Sequence, residues 1–245
     1  MKFGIGNDWK EVKRFKKLDK KDRSIVFYLE SEYDFIFFKP IVEKLTQEYD
    51  TKICYVTSSK TDPMLACNDK NILTFYIGDG VACVNFFVNL KSTIMVMTMP
   101  DLETFHVKRS KVHPVHYVYI FHSLTSTHYI YTSTAFDNFN TIFCTGIYQI
   151  NEIQEREKKF NLVGKKLVKH GYGLLDTLIN EVQSTNIRKN ASNNKVVLIA
   201  PSWGSNGLIE TKGQEIVRIL LDSGFNVILR PHPRTRKKSN KVIQK

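Results

Sequence analysis

The sequence predicts an α/β protein whose first domain is a Rossmann-type, mostly parallel sheet with helices on both faces. Three observations predict this class. Short, continuously apolar runs alternate with stretches of helical periodicity, as in βαβ units. No repeat of fixed period is present. The composition, 42% apolar with 12 glycines and 7 prolines in 245 residues, excludes disordered and low-complexity classes.

The first segment, residues 1–23, predicts a basic amphipathic helix over residues 8–21. Asp8 followed by Glu11 indicates a helix start. A stripe of apolar residues recurs every three positions: Trp9, Val12, Phe15 and Leu18. Nine Lys and Arg stand against four Asp and Glu in this segment. Such a helix either packs on the protein body or lies on an anionic membrane, and the sequence favours neither.

The Rossmann-like first domain is predicted over residues 24–183. Strands are expected at residues 25–29, 52–56, 72–77, 93–97, 115–121 and 141–144. Helices are expected at residues 38–49, 81–90, 152–160 and 172–182. Pro40 has no backbone N–H, so the first of these helices is expected to place it in its first turn.

A second, incomplete unit is predicted over residues 195–245, after a polar linker at residues 184–194. It consists of a strand at 196–200, a loop at 201–207, a helix at 211–223 and a strand at 226–229. Two parallel strands with one helix leave a sheet face and an edge uncovered. We therefore expect a chain that is truncated at its C-terminal side.

Charge and composition narrow the function classes. The net charge of +12 is concentrated in residues 1–23 and 234–245, which predicts an anionic surface or a polyanionic substrate. No apolar stretch is long enough for a membrane span and no apolar leader is present, so a cytoplasmic location is expected. The four cysteines form no CxxC pair and read as reduced thiols, and neither a metal nor a cofactor is predicted. No nucleic-acid-binding module is present.

Two loops of the second unit follow buried strands and favour phosphate binding. The first contains small and polar residues before a helix, where backbone N–H groups can approach an anion: Ser202, Gly204, Ser205, Asn206 and Gly207. The second holds His232 between two prolines, flanked by Arg230 and Arg234, whose guanidinium groups match phosphate geometry. The alternatives are an ordinary βα turn and a solvated basic turn.

A third polar loop follows the strand at 115–121 and predicts a site of proton transfer. His122 and His128 lie there among hydroxyl groups that include Ser123 and Ser126. No GxSxG elbow surrounds Ser126, so a serine nucleophile is not indicated. The alternative is a histidine that only caps the loop by hydrogen bonding.

These motifs, in this order, resemble the CDP-glycerol glycerophosphotransferase family, which includes the primases and polymerases of wall teichoic acid. The segments that carry the resemblance are FHSLTSTHYIY (121–131), AFDNFNTIFCTG (135–146), GYGLLD (171–176), VVLIAPSWGSNG (196–207) and GFNVILRPHPR (224–234). The resemblance implies a GT-B-like fold of two Rossmann-type domains. It also implies transfer of a polyol phosphate from a CDP-activated donor to a lipid-linked acceptor at the inner membrane face.

The resemblance assigns roles to the loop residues. His122 and His232 correspond to the family's two histidines and would be catalytic. Donor phosphates would be held by Ser202, Gly204, Ser205, Asn206, Gly207, Arg230 and Arg234, and the acceptor side would include Ser123, Ser126 and His128. Members of the family continue for well over a hundred residues beyond the matching part, so we expect this chain to be a poor catalyst or none. Two alternatives remain open: another GT-B enzyme, such as a nucleotide-sugar glycosyltransferase or 2-epimerase, or a non-catalytic fragment that binds membrane or acceptor.

Overall fold

The computed structural model describes residues 6–104, 107–184, 195–238 and 243. The chain forms two compact units, Met1–Thr185 and Asn186–Lys245. The predicted class is confirmed: a Rossmann-type parallel sheet is followed by a smaller parallel α/β unit, the order of parts expected of a GT-B-like chain. All but the first residue of the predicted linker at 184–194 lies outside the described residues.

The first unit contains seven strands and six α-helices among its described residues. The strands are β1 Ile25–Leu29, β2 Ile53–Thr57, β3 Ile72–Tyr76, β4 Ile94–Met97, β5 His116–Ile120, β6 Thr141–Cys144 and β7 Lys166–Lys169. The helices are α1 Asn7–Lys16, α2 Phe35–Glu43, α3 Val81–Val88, α4 Thr127–Ile130, α5 Ile147–Lys159 and α6 Gly173–Ser184. Two 3₁₀ turns, Glu32–Asp34 and Pro63–Ala66, and a π-helical turn, Lys44–Glu48, complete it.

All seven strands are parallel, in the order β3-β2-β1-β4-β5-β6-β7. The strand order reverses between β1 and β4, which pair with Tyr28 opposite Met97. In open α/β sheets this switch point opens a crevice at the carboxyl ends of the strands, where ligands bind. A ligand site is therefore expected among the residues that follow β1, β4 and β5.

Two apolar layers bury the sheet, because successive strand residues face opposite sides. Val26 and Tyr28 face the layer that contains α1 and α3, whereas Phe27 and Leu29 face the layer that contains α2. All four of these side chains are at most 1% exposed. Burial on both faces explains why the sequence runs of the central strands are continuously apolar.

Helix α1 packs on the protein body, which decides between the two readings of its apolar stripe. Val12 and Phe15 are buried, and Trp9 and Leu18 pack against the same core layer. The Phe15 ring contacts Phe75 edge-on, with the ring centroids 5.4 Å apart. Of the two alternatives for the stripe, packing on the body is the one that the structure shows, because the core already covers these side chains. The helix also ends at Lys16, earlier than the predicted residue 21.

Several element boundaries differ from the sequence predictions. The helical region that contains Pro40 begins earlier, at the 3₁₀ turn that Ser31 caps by accepting a hydrogen bond from the Tyr33 N–H. Pro40 therefore lies inside α2 rather than in its first turn, and a π-helical turn follows the helix. Strand β7 was not predicted, because only two of its four residues are apolar and its two lysines are exposed, as at a sheet edge. Helix α5 begins at Ile147, five residues before the predicted start.

The second unit contains strands β8 Val196–Ile199 and β9 Asn226–Leu229, which pair in parallel, with helices α7 Leu208–Asp222 and α8 Pro233–Lys238. Helix α7 begins three residues before its predicted start, and α8 was not predicted. Val196, Leu198 and Ile228 lie on one face of this sheet and are 54–58% exposed. Within the described residues, the uncovered sheet face that the sequence predicted is thus present.

Candidate functional site

Polar side chains gather at the switch-point crevice of the first unit. Asp34 follows β1, Thr98 follows β4 and His122 follows β5, and these strands are neighbours in the sheet. The carboxyl ends of parallel strands share one edge, so the topology alone brings the three residues together. Of these, the sequence had indicated His122 only.

The His122 imidazole is held as a neutral base in an aromatic pocket. Burial lowers its pKa, and a hydrogen bond to the backbone of Thr98 opposes that shift in part. Phe37 contacts the ring edge-on, with centroids 5.9 Å apart, and the Tyr131 centroid is 6.5 Å away. Nδ1 lies 3.4 Å from the Tyr119 hydroxyl. A neutral imidazole can accept a proton at neutral pH, as the proton-transfer prediction requires.

A network of hydroxyl groups connects His122 to Ser123. The Tyr119 hydroxyl hydrogen-bonds both His122 and the Tyr131 hydroxyl, and burial raises the pKa of Tyr119 well above its ordinary value. The Tyr131 hydroxyl lies 3.0 Å from Ser123 Oγ. Tyr172 donates its hydroxyl proton to the His122 carbonyl at 3.2 Å. The structure therefore brings Ser123 into the surroundings of His122, and it adds three tyrosines to the candidate site.

Asp34 is a residue of this crevice that the sequence reasoning missed. Burial raises the pKa of its carboxyl group to about 6, the Glu30 charge adds to that shift, and hydrogen bonds from the Ser31 backbone and the Thr98 hydroxyl oppose it. Thr98 thus contacts Asp34 through its side chain and His122 through its backbone. The available signal was the acidic run after the first strand, which is unusual directly beside a buried strand end.

Ser126 and His128 lie outside this network. The Ser126 Oγ accepts a hydrogen bond from the His128 N–H at 3.2 Å and so caps α4. Glu152 accepts hydrogen bonds from both the backbone and the hydroxyl of Thr127, each at 2.6 Å. The exposed His128 lines a cleft of about 380 Å³, and Tyr131 of the hydroxyl network also lines that cleft. The Ser126 hydroxyl thus caps a helix, and the place of Ser126 and His128 on the acceptor side remains a prediction.

In the second unit, the His-Pro turn and the preceding loop meet around Trp203. The His232 Nδ1 accepts a hydrogen bond from the Arg234 N–H at 3.1 Å, so Nε2 is the ring nitrogen that can carry a proton to donate. The His232 ring stacks on Trp203 with centroids 6.2 Å apart. The Arg234 guanidinium lies 4.6 Å from the centre of the same indole. Trp203 was missed because a single tryptophan in a loop carries no pattern.

The loop at residues 202–207 differs from the simple phosphate loop that its composition indicated. The Gly207 N–H donates to the Gly204 carbonyl at 2.8 Å, and Gly204 has a φ of 144°. A side-chain carbon at Gly207 would lie 2.2 Å from a carboxylate oxygen of Glu210. The other oxygen of Glu210 accepts a hydrogen bond from Thr235 at 2.8 Å. A carboxylate therefore already lies at the helix start that was assigned to phosphate.

The remaining predicted phosphate ligands are accessible. Ser202, Ser205, Asn206 and Arg230 are exposed. The Arg230 N–H donates to the Ile199 carbonyl at 2.9 Å, which places the two loops after neighbouring strands.

Within the described ranges, no three His, Cys, Asp or Glu side chains are grouped to hold a metal ion. No helix of the described part of the chain is long and apolar enough to cross a bilayer.

No protein-family model and no curated protein matches the chain. Among solved structures, it is similar to a variant of the wall teichoic acid polymerase TagF soaked with CDPG, with a TM-score of 0.48, 12% identity, 96% of this chain covered and 63% of that chain. It is also similar to UDP-GlcNAc 2-epimerase from Neisseria meningitidis bound to UDP-GlcNAc, with a TM-score of 0.49, 15% identity, and 90% and 69% covered. The chain thus spans less than two thirds of the TagF chain.

Proposed function

We propose that this chain carries the acceptor-activating site and part of the donor-phosphate site of a polyol-phosphate transferase. The donor would be a CDP-activated polyol and the acceptor a lipid-linked polymer, as the motif resemblance implies. The observation that carries the proposal is the neutral imidazole of His122, held in an aromatic and hydroxyl-lined pocket at the switch-point crevice.

His122 acts as the general base in this proposal. An acceptor hydroxyl oxygen forms a bond to the β-phosphorus of the donor while the bond from that phosphorus to the CMP oxygen breaks. The hydroxyl proton passes to the imidazole nitrogen that does not donate to Thr98, and CMP leaves with the bonding electron pair. A positioned general base typically accelerates such a step by about 10²–10⁴-fold.

Asp34 positions the His122 imidazole through Thr98 and stabilises its protonated form. The Thr98 backbone carbonyl accepts the imidazole N–H, and the Thr98 hydroxyl donates to the Asp34 carboxylate. An anionic Asp34 favours the imidazolium that forms during the reaction, because opposite charges stabilise each other strongly in a partly buried site. Asp34 touches no reacting atom, so it is a positioning residue.

His232, Arg230 and Arg234 contribute donor-phosphate contacts in the second unit. Because His232 Nδ1 accepts the Arg234 N–H, the Nε2–H is the ring group that can donate to a phosphate oxygen. Arginine forks add charge-assisted hydrogen bonds. Donors fixed before the reaction stabilise the charge that develops on the transferred group. The stacking on Trp203 fixes the imidazole plane.

A membrane-bound acceptor implies peripheral membrane association on the cytoplasmic side. The apolar stripe of α1 is buried, so this association would use the exposed lysines of the helix instead. Attraction of this kind rises with anionic lipid content and falls with salt. Co-sedimentation with vesicles tests it, and equal binding to neutral and anionic vesicles would contradict it.

The test of the catalytic proposal is CMP release from CDP-glycerol in the presence of a lipid-linked acceptor. We expect His122→Gln to lower the rate at least a hundredfold and Asp34→Asn about tenfold. His116→Gln is the matched control, because His116 begins the same strand at the opposite end of the sheet. UDP-GlcNAc serves as the competing donor. Turnover of UDP-GlcNAc alone would replace the proposed donor, and no release above the His122→Gln background would leave only the non-catalytic alternative.

A further inference from the structure

A cation-lined cavity lies at the end of the sheet opposite the His122 crevice. Arg23 precedes β1, Ser92 precedes β4 and His113 precedes β5, so the cavity lies at the amino ends of neighbouring strands. Its volume is about 420 Å³. It adjoins a second cavity of about 320 Å³, with which it shares Arg23 and Lys91. No residue of the proposed transferase site lines either cavity among the described residues.

The two cavities, called here the basic cavity, concentrate positive charge without a matching acid. Their described charged lining residues are Lys16, Lys20, Arg23 and Lys91, and none of the described lining residues is acidic. Burial and the nearby charge of Lys91 lower the pKa of Lys16. The neighbouring Asp22 is paired with Lys52 at 3.1 Å. The cations therefore repel one another in the absence of an anion.

Two buried polar atoms of the basic cavity lack a partner within the described chain. Ser92 is 2% exposed, and its Oγ makes no hydrogen bond. The Nε of Arg23 is also buried without a partner, although another nitrogen of the same guanidinium donates to the Lys16 carbonyl at 3.0 Å. Buried polar groups in proteins are nearly always hydrogen-bonded, so two unpartnered ones at one cavity indicate a missing ligand.

We propose that the basic cavity binds a phosphate group. The donors of Arg23 and Ser92 are covered in this structure, so both side chains would have to turn toward the cavity. One phosphate oxygen would then accept the Nε–H of Arg23, another would accept the hydroxyl proton of Ser92, and Lys16 and Lys91 would balance the charge. Guanidinium and ammonium groups together with a hydroxyl are the donors that phosphate oxygens prefer. Inorganic phosphate, a soluble phosphate ester and a phospholipid headgroup share this chemistry, and the experiment separates them.

The experiment is amide hydrogen exchange of the full chain with inorganic phosphate, compared with chloride at matched ionic strength. We expect slower exchange in peptides that cover residues 17–24 and 88–93, because a ligand that binds the folded state suppresses local opening. This readout is local and does not report phosphate bound by the second unit. Glycerol phosphate, phosphatidylglycerol vesicles and phosphatidylcholine vesicles are parallel arms.

Two variants and one control make the test specific. Ser92→Ala keeps all charges, and we expect about tenfold weaker phosphate binding from the loss of a hydrogen bond to a charged group. The pair Lys16→Gln and Lys91→Gln should abolish the protection. The control pair, Lys158→Gln and Lys169→Gln, removes the same charge from exposed positions elsewhere on the unit and should change nothing.

The outcomes divide clearly. Protection by inorganic phosphate or glycerol phosphate that Ser92→Ala weakens supports a soluble phosphate ligand. Protection by phosphatidylglycerol vesicles alone, with the same loss in Ser92→Ala, supports the lipid headgroup. Unchanged exchange with every probe, or equal protection in Ser92→Ala, overturns the proposal. A melting temperature of Ser92→Ala several degrees lower without ligand would show that the hydroxyl has an internal partner and would also overturn it.

Discussion

Replacing Asp34 with Asn should stabilise the protein near neutral pH while slowing the reaction. The folded state raises the pKa of this carboxyl group from 3.8 to about 6, so its ionisation opposes folding. A difference of that size corresponds to about 3 kcal/mol, which screening by solvent at this half-buried position reduces to about 1–2 kcal/mol. Asparagine keeps the shape and removes the charge. A residue that lowers stability and supports activity is typical of a functional site.

The raised pKa of Asp34 also predicts how the stability gain of Asp34→Asn changes with pH. A carboxyl group with a raised pKa favours the folded state below pH 3.8, where both states are protonated, and this advantage is lost as the pH rises through about 6. The excess stability of Asp34→Asn should therefore be complete at pH 7.5 and about threefold smaller at pH 4.5.

The assay is urea unfolding followed by circular dichroism at those two pH values. Glu48→Gln is the control, because Glu48 is exposed and only forms a surface ion pair with Lys44. Its effect should stay within about 0.5 kcal/mol at both pH values. Lower stability of Asp34→Asn at pH 7.5, or an equal gain at both pH values, would refute the assignment of a strained, functional carboxylate.

Three further predictions concern α1 and the second unit. Phe15→Ala should lower the free energy of unfolding by about 3–5 kcal/mol in urea and leave vesicle binding unchanged; a selective loss of vesicle binding would restore the membrane reading of the stripe. Trp203→Ala should weaken CDP-glycerol binding in calorimetry by about tenfold, with Trp203→Phe intermediate, since it removes the stacking on His232 and Arg234; an unchanged affinity would contradict that role. Glu210→Gln should tighten the binding of inorganic phosphate by about fivefold, because a nearby negative charge is removed and the Thr235 hydrogen bond is kept; weaker binding would contradict this.

Most of the sheet could be predicted from the sequence because burial on both faces leaves a strong local pattern. The strands at 25–29, 141–144 and 226–229 have the predicted ends. Strand β7 could not be predicted, because an edge strand with exposed lysines has no continuous apolar run. The start of α2 was missed because the 3₁₀ turn before it is polar and depends on a cap rather than on apolar periodicity.

The candidate site was predictable only in part, because proximity depends on strand order. The sequence identified His122 from its position after a strand, and any parallel sheet would place it at a carboxyl edge. Asp34 and Thr98 reach the same place only because β4 pairs between β1 and β5, a fact of topology that spacing does not contain. Ser126 looked equivalent to Ser123 in the sequence, yet its hydroxyl caps a helix.

The two loops of the second unit have different roles in the proposed phosphate site. At the start of α7, the Glu210 carboxylate lies where an anion would otherwise be favoured by the helix N-terminus. Thr235, which follows the His-Pro turn, donates to this carboxylate, so the same ion ties the two loops together. Phosphate contacts would then come chiefly from His232 and Arg234, whose donors stay free of the carboxylate, while the glycine loop supplies the close backbone packing that positions them.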